Sequence, residues 1–284
     1  MLRFVDFLRL VEVFAWLGVK KVRITGGEPL VRKGVVRFIS NVRAISSIEW
    51  LALTTNGVML GKMAAELKAA GLNGLNVSLD TLDGDKFRAV TGHDGLAAVL
   101  NGIEAALSEG FDSVKINAVA MRGVNDGEIG AFIDLARMKN VEVRFIEYMP
   151  VSADDWDQYK FIPMAEVKKI AEKYCDLEPA ERARWGGPAE VYRLDGGSGR
   201  LGFISAVSRH FCSECNRLRV TSSGKMMTCL FGGEALDFRP FLSSGASMEE
   251  IARAVAAALR DKNAVRTMFG PSRAKPFSMA SVGG

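Results

Sequence analysis

Short β-branched runs recur along the first half of the chain, each closing on small or polar residues: KKVRITGG at 20–27, WLALTTNG at 50–57, LNVSLDT at 75–81, VKINAVAM at 114–121 and VEVRFIEYM at 141–149. Their composition predicts strands. Between them, MAAELKAAGL at 63–72, GLAAVLNGIEAALSEG at 95–110 and IGAFIDLARM at 129–138 repeat apolar residues at helical spacing. Parallel strands need a crossover, and a helix is its usual form, so the alternation predicts βα repeats on a parallel sheet. The opening MLRFVDFLRLVEVFAWLGVKK reads as an amphipathic helix, because Asp6, Arg9 and Glu12 interrupt its apolar stretch.

After VSADDWDQ at 151–158 the rhythm changes. One helix, PMAEVKKIAEKY, is followed by Gly-rich short strands from about 185 to 232, a helix in SMEEIARAVAAALRDK and a tail ending in MASVGG. The expected organisation is α/β: a partial (β/α) TIM-type barrel over residues 1–155, and a smaller α+β domain over residues 156–284.

Composition narrows the partners. The 284 residues are 48% hydrophobic, enough for a sizeable core, and 37 Lys and Arg against 33 Asp and Glu leave a formal charge of only +4. With no polybasic block, neither nucleic acid nor a membrane surface is expected, while a small anionic substrate fits. No apolar stretch is long enough to span a membrane and no cleavage site follows the first helix, so the expectation is a cytoplasmic enzyme. In that compartment four cysteines are metal ligands or buried thiols before they are disulfides.

In a βα barrel the ligand site lies at the C-terminal ends of the strands, so the residues closing each run carry the candidate chemistry. Gly26 and Gly27 let backbone amides approach a ligand, and with Glu28 and Pro29 they form GGEP. Arg23, Lys115 and Arg144 sit inside strand-like runs, where a buried cation is costly unless it meets an anion. Each could face outward, but three on one sheet would favour a bound polyanion. Thr54, Asn56, Ser78, Asp80 and Met149 close the other strands and, taken singly, read as turn and cap residues.

The cysteines at 212, 215 and 229 are spaced C-x2-C-x13-C within HFCSECNRLRVTSSGKMMTC. Structural zinc would need a fourth ligand, for which His210 is the nearby candidate. An iron–sulfur cluster on three thiolates would leave one iron open, and three buried thiols are the third option. Arg217 and Arg219, two apart in RLRVT, share one face if that run is extended, and guanidinium pairs suit phosphate.

These motifs resemble the GTP 3′,8-cyclase family, radical S-adenosylmethionine enzymes that open molybdenum cofactor biosynthesis. The resemblance runs through GVKKVRITGGEPLVR, LTTNG, GLNVSLD, VKINAV, GVND, RFIEYMP, FCSECNRLRVTSSGKMMTCLF and the terminal Gly283-Gly284. It implies that Cys212, Cys215 and Cys229 hold a 4Fe-4S cluster whose open iron binds the guanine base. It further implies that Arg23, Thr54, Lys115, Arg217 and Arg219 contact GTP, with Lys21 and Arg144 in the same charged pocket. Gly27, Ser78 and Met149 would line S-adenosylmethionine. The implied partners are GTP, an electron donor and a downstream pyranopterin synthase; a homodimer is compatible with the sequence.

The family's radical-generating second 4Fe-4S cluster takes its ligands from a C-x3-C-x2-C motif, which does not occur in these 284 residues. The barrel is accordingly expected to lack its first strand, and the chain to be inactive by itself. Two other readings stay open: a non-catalytic GTP-binding remnant, and a zinc-stabilised barrel with His210 as fourth ligand. Cys175, in EKYCDLEP, is expected to be a packed helical thiol.

Overall fold

All five β-branched runs become strands: β1 (Lys21–Ile24), β2 (Trp50–Thr55), β3 (Gly74–Ser78), β4 (Ser113–Ala120) and β5 (Glu142–Glu147). The structure is a computed structural model that describes residues 1–150, 156–209 and 215–260. Helix α1 (Phe4–Trp16) precedes them, and α2 (Val35–Arg43), α3 (Leu60–Ala69), α4 (Gly84–Thr91), α5 (Leu96–Ser108), α6 (Ile129–Lys139) and α7 (Met164–Ala171) fall between and after them. The chain divides into two units, one of residues 1–52, 150–156 and 215–284, the other of residues 53–149 and 157–214.

The unit spanning 53–149 and 157–214 is built on a mixed sheet. β3, β4 and β5 are parallel neighbours, with Asn76 opposite Lys115 and Lys115 opposite Glu142. The next parallel neighbour of β5 is β8 (Arg200–Ile204), a strand the sequence pattern places among the Gly-rich runs beyond residue 155. From there β7 (Glu190–Leu194) and β6 (Leu177–Ala180) continue the sheet antiparallel. One face is apolar: Leu75, Val77, Ile116, Ala118, Val143, Phe145, Leu201 and Phe203 are all buried. Phe132 of α6 meets Phe145 edge-on at 5.9 Å, sealing that helix to the sheet. Alternation along each strand leaves the opposite face to Asn76, Ser78, Lys115, Asn117, Glu142 and Arg144. Helices α3 and α5 approach closely because residue 102 is glycine; a Cβ there would lie 2.6 Å from the Gly57 carbonyl oxygen.

The other unit combines α1, α2 and β1 with a C-terminal module. That module holds β9 (Arg219–Val220), β10 (Lys225–Met227), β11 (Glu234–Asp237), α8 (Arg239–Ser243) and α9 (Met248–Arg260). The three strands form an antiparallel sheet with β10 in the middle. Leu10 and Val13 of α1 join Met226, Phe238, Ile251, Ala252 and Val255 in one buried cluster. Phe14 meets Phe238 edge-on at 6.0 Å. Leu2 N donates to Ser222 O at 2.8 Å, and Gly224, at φ +85°, leaves room for the Leu2 side chain. Part of the amphipathic stripe of α1, at Leu10 and Val13, is thus covered by residues more than 200 positions away in sequence, while Phe4 and Phe7 meet Phe38 of α2.

Phe238 is fully buried and central to this cluster. Phe238→Ala is expected to cost about 3–5 kcal/mol, because the vacated volume cannot be refilled. A lower urea midpoint for the unfolding of α1 and the C-terminal module together would register it.

Candidate functional site

The polar face of β3, β4 and β5 is arranged in tiers by the register. Asn76, Lys115 and Glu142 share one level, and Ser78, Asn117 and Arg144 share the next. The Glu142 carboxylate spans both cations: Oε2 lies 3.3 Å from Lys115 Nζ, and Oε1 accepts from Arg144 Nε at 2.5 Å. Arg144 Nη2 donates to Gly186 O at 2.6 Å. The Lys115 and Arg144 side chains are only 10% and 4% exposed, and a buried charge is tolerated only when paired. Burial works to raise the Glu142 carboxyl, but Arg144 and Lys115 outweigh it and hold the group below the ordinary carboxylate value. Opposite Arg144 on β8 is Gly202, where a Cβ would fall 2.9 Å from Arg144 Cγ and 3.6 Å from Glu142 Oε1. The pair therefore needs glycine at that point.

Around this triad stand further polar groups. Asn76 Nδ2 donates to Thr54 Oγ1 at 3.4 Å, and both residues are buried. Among the described residues the buried Asn117 Oδ1 atom has no hydrogen-bond partner, so this face holds an acceptor suited to a ligand donor. Ser78 is exposed and Met149 half-buried. Asp80 accepts from Val119 N at 2.8 Å, and burial pushes its carboxyl upward. Glu147, on the apolar face, is fully buried and accepts from the backbone N–H groups of Met164, Val207 and Ser208 at 2.7–2.8 Å. It ties β5 to the start of α7 and to the turn at 205–208.

In the other unit, Lys21 and Arg23 lie two apart on β1, half-buried and exposed respectively. A Cβ at Gly26 or Gly27 would meet nothing within 4 Å among the described residues, an opening of the kind that ligand approach requires. Glu28 of GGEP caps the short turn Pro29–Val31 by accepting from Leu30 N at 3.0 Å. In the β9–β10 pair Arg219 stands opposite Met227. Cys215 precedes this pair and Cys229 follows it, both half-buried, with Arg217 exposed. Burial and neighbouring Arg217 push the Arg219 guanidinium down to about 10, against the opposing pull of Cys215 and Cys229. Two cations and two sulfurs therefore share one electrostatic neighbourhood.

Cys212, His210 and the Gly283-Gly284 tail lie outside the described residues. Among the described residues no group of three His, Cys, Asp or Glu is placed to hold a metal. Two of the three predicted cluster ligands, Cys215 and Cys229, do flank one cation, and that donor set fits a thiolate-held cluster. Cys175 is buried in the turn after α7 rather than in a helix, its Sγ 3.5 Å from Ala171 O. Glu142, Asn76 and Gly202 belong to this polar face and its ion pair, and the strand-end reading misses them. The signal for Glu142 is in the sequence: it stands two residues before Arg144 in VEVRF, hence on the same face.

A mixed α/β sheet with a parallel run and polar residues on one face defines a class, and comparison with known proteins identifies it. Residues 2–136 match the Radical SAM superfamily, and residues 141–268 match Molybdenum Cofactor Synthesis C. SuiB of Streptococcus suis shares the fold at 16% identity and a TM-score of 0.59, over 81% of this chain and 54% of that one. GTP 3′,8-cyclase of Geobacter sulfurreducens is 44% identical over 285 residues, covering 100% of this chain and 87% of that protein. The namesake from Heliobacterium modesticaldum is also 44% identical, covering 100% of this chain and 88% of that protein. The chain belongs to the GTP 3′,8-cyclase family. Among the described residues no helix is long and apolar enough to cross a membrane.

Because folding lowers the Glu142 carboxyl, its contribution to stability is complete above the unfolded value, about 4.3, and is lost as pH falls through the lower folded value. At pH 7 Glu142→Gln is expected to lose about 3–5 kcal/mol by leaving two buried cations without their carboxylate. The gap from wild type should narrow progressively below about pH 4 in acid unfolding curves. A gap that is constant down to pH 2 would contradict the charge argument.

Proposed function

We propose that the chain is a GTP 3′,8-cyclase of molybdenum cofactor biosynthesis, acting in the cytoplasm, with Arg217 and Arg219 gripping the phosphates of GTP. The observation that supports this most is the position of Arg219. It is desolvated, stands beside a second guanidinium, and is flanked by Cys215 and Cys229. A desolvated guanidinium with a second one beside it is stabilised when an anion joins them. Thiolates at the same place are ligands for iron.

In this reading Cys212, Cys215 and Cys229 hold a 4Fe-4S cluster with one iron left for the guanine base. Arg23, Thr54 and Lys115 contribute to GTP binding, with Lys21 and Arg144 adding charge, while Gly27, Ser78 and Met149 line S-adenosylmethionine. Bound S-adenosylmethionine and iron–sulfur clusters supply the radical chemistry of the family. The chain's own residues position the substrate: guanidinium and ammonium groups neutralise phosphate, and open glycine backbone admits the cofactor. An electron donor and a pyranopterin synthase complete the proposed partners.

Anaerobic reconstitution followed by GTP titration tests this reading. Arg217→Ala and Arg219→Ala are each expected to weaken GTP binding by about 10- to 100-fold, the worth of one or two charge-assisted hydrogen bonds. About four irons per chain should accompany Cys215 and Cys229, and Cys229→Ser should abolish them. Unaltered GTP affinity in both arginine variants, or one zinc in place of iron, would refute the proposal.

A further inference from the structure

Lys115 and Arg144 are the buried cations of the sheet's polar face, and both are already engaged by Glu142, which contacts one with each carboxylate oxygen. We infer that Glu142 is a positioning residue for nucleotide phosphate: it holds Lys115 and Arg144 in place and aimed while making no contact with substrate. This rests on the reading above, in which those two cations serve GTP.

Three features carry the inference. The carboxylate bridges adjacent strands, since Lys115 on β4 is in register with Glu142 and Arg144 follows two residues later on the same face of β5. Arg144 is held at two points, Nε by Glu142 and Nη2 by Gly186 O, which fixes the plane of its guanidinium. The space for the pair is built into β8, where Gly202 omits the Cβ that would meet Arg144 Cγ at 2.9 Å. One carboxylate does not by itself neutralise two cations. Without the carboxylate, two like charges would stay buried side by side, and the flexible lysine would relieve the repulsion by losing its proton or swinging away.

A carboxylate that merely competed with phosphate would have the opposite effect on binding, so the sign decides. Wild type, Glu142→Gln and Glu142→Asp are reconstituted anaerobically and titrated with GTP and GMP by calorimetry, with thermal unfolding followed in parallel. Glu142→Gln is expected to weaken GTP by about tenfold or more while changing GMP by no more than about twofold. Glu142→Asp, which keeps the charge, should recover part of that loss. GTP bound equally or more tightly by Glu142→Gln would overturn the inference, and so would equal weakening of GTP and GMP, the mark of a purely structural role. Should Glu142→Gln fail to fold, Glu142→Asp decides alone: its shortened reach must lower the GTP-to-GMP affinity ratio, and an unchanged ratio overturns the inference. Wild type that binds no GTP would sink the functional reading beneath it, whereas tight wild-type binding with an unchanged Glu142→Gln would sink this inference only.

Discussion

Placing a lysine and an arginine inside a sheet is a problem in electrostatics before it is a matter of recognition. Lys115 and Arg144 are almost wholly withdrawn from water, and removing an ion from water costs several kcal/mol even after relaxation. Glu142 answers both at once, and the surrounding details follow from that bridge. Gly202 is needed because the ion pair occupies the volume a side chain would take. The carbonyl of Gly186 is needed because a guanidinium carries five donors and the carboxylate meets only some of them. The sheet thereby tolerates two buried cations side by side.

The sequence reveals the cations more readily than their counter-ion. A lysine in VKINAV or an arginine in VRFIE stands out because charged residues are uncommon within β-branched runs. Glu142 opens its strand, where a polar residue looks like an edge. Its partnership depends on register between β4 and β5, which is tertiary information. The same limit applies to the fold. The five longest β-branched runs are legible as strands, but β6 contains Pro179 and β11 reads EALD, compositions that disfavour strands until sheet neighbours impose them. The run RLGFI lies between Gly-rich stretches, and only its pairing with β5 makes β8 a parallel member of the sheet. Helix α2 hides in VVRFISNVR, whose β-branched content competes with its 3.6-residue period.

Helix α1 shows the other kind of illegibility. Its amphipathic period is evident, and so is the existence of a buried face, but nothing local says what covers that face. The cover is Met226, Phe238, Ile251 and Val255, from the far end of the chain. The hairpin that carries Arg219 shares this arrangement. Met226 of β10 belongs to the buried cluster while Arg219, on β9, pairs with the adjacent Met227. A packed apolar layer directly beneath a charged hairpin limits the rotamers available above it, which is how a supporting shell makes cation placement reproducible.

Strands in a parallel sheet covered on both faces read as continuous apolar runs. Here β3, β4 and β5 depart from that rule chiefly on one face, Glu147 of β5 being the exception on the other. Leu75, Val77, Ile116, Val143 and Phe145 satisfy it toward the helices, while Asn76, Ser78, Lys115, Asn117, Glu142 and Arg144 break it on the other side. Hydrophobic stability would be better served by valine at the buried ones of these positions, so their retention has to be offset by what the polar face does. Most of the face is internally satisfied, through Glu142 with its two cations and through Asn76 with Thr54. The buried Asn117 Oδ1 atom, one tier beyond Lys115 on the same strand, has no hydrogen-bond partner among the described residues. A network satisfied at its base and left with an acceptor toward the strand ends has the polarity of a binding face: rigid where the charges must be held, and unsatisfied where a ligand can complete it.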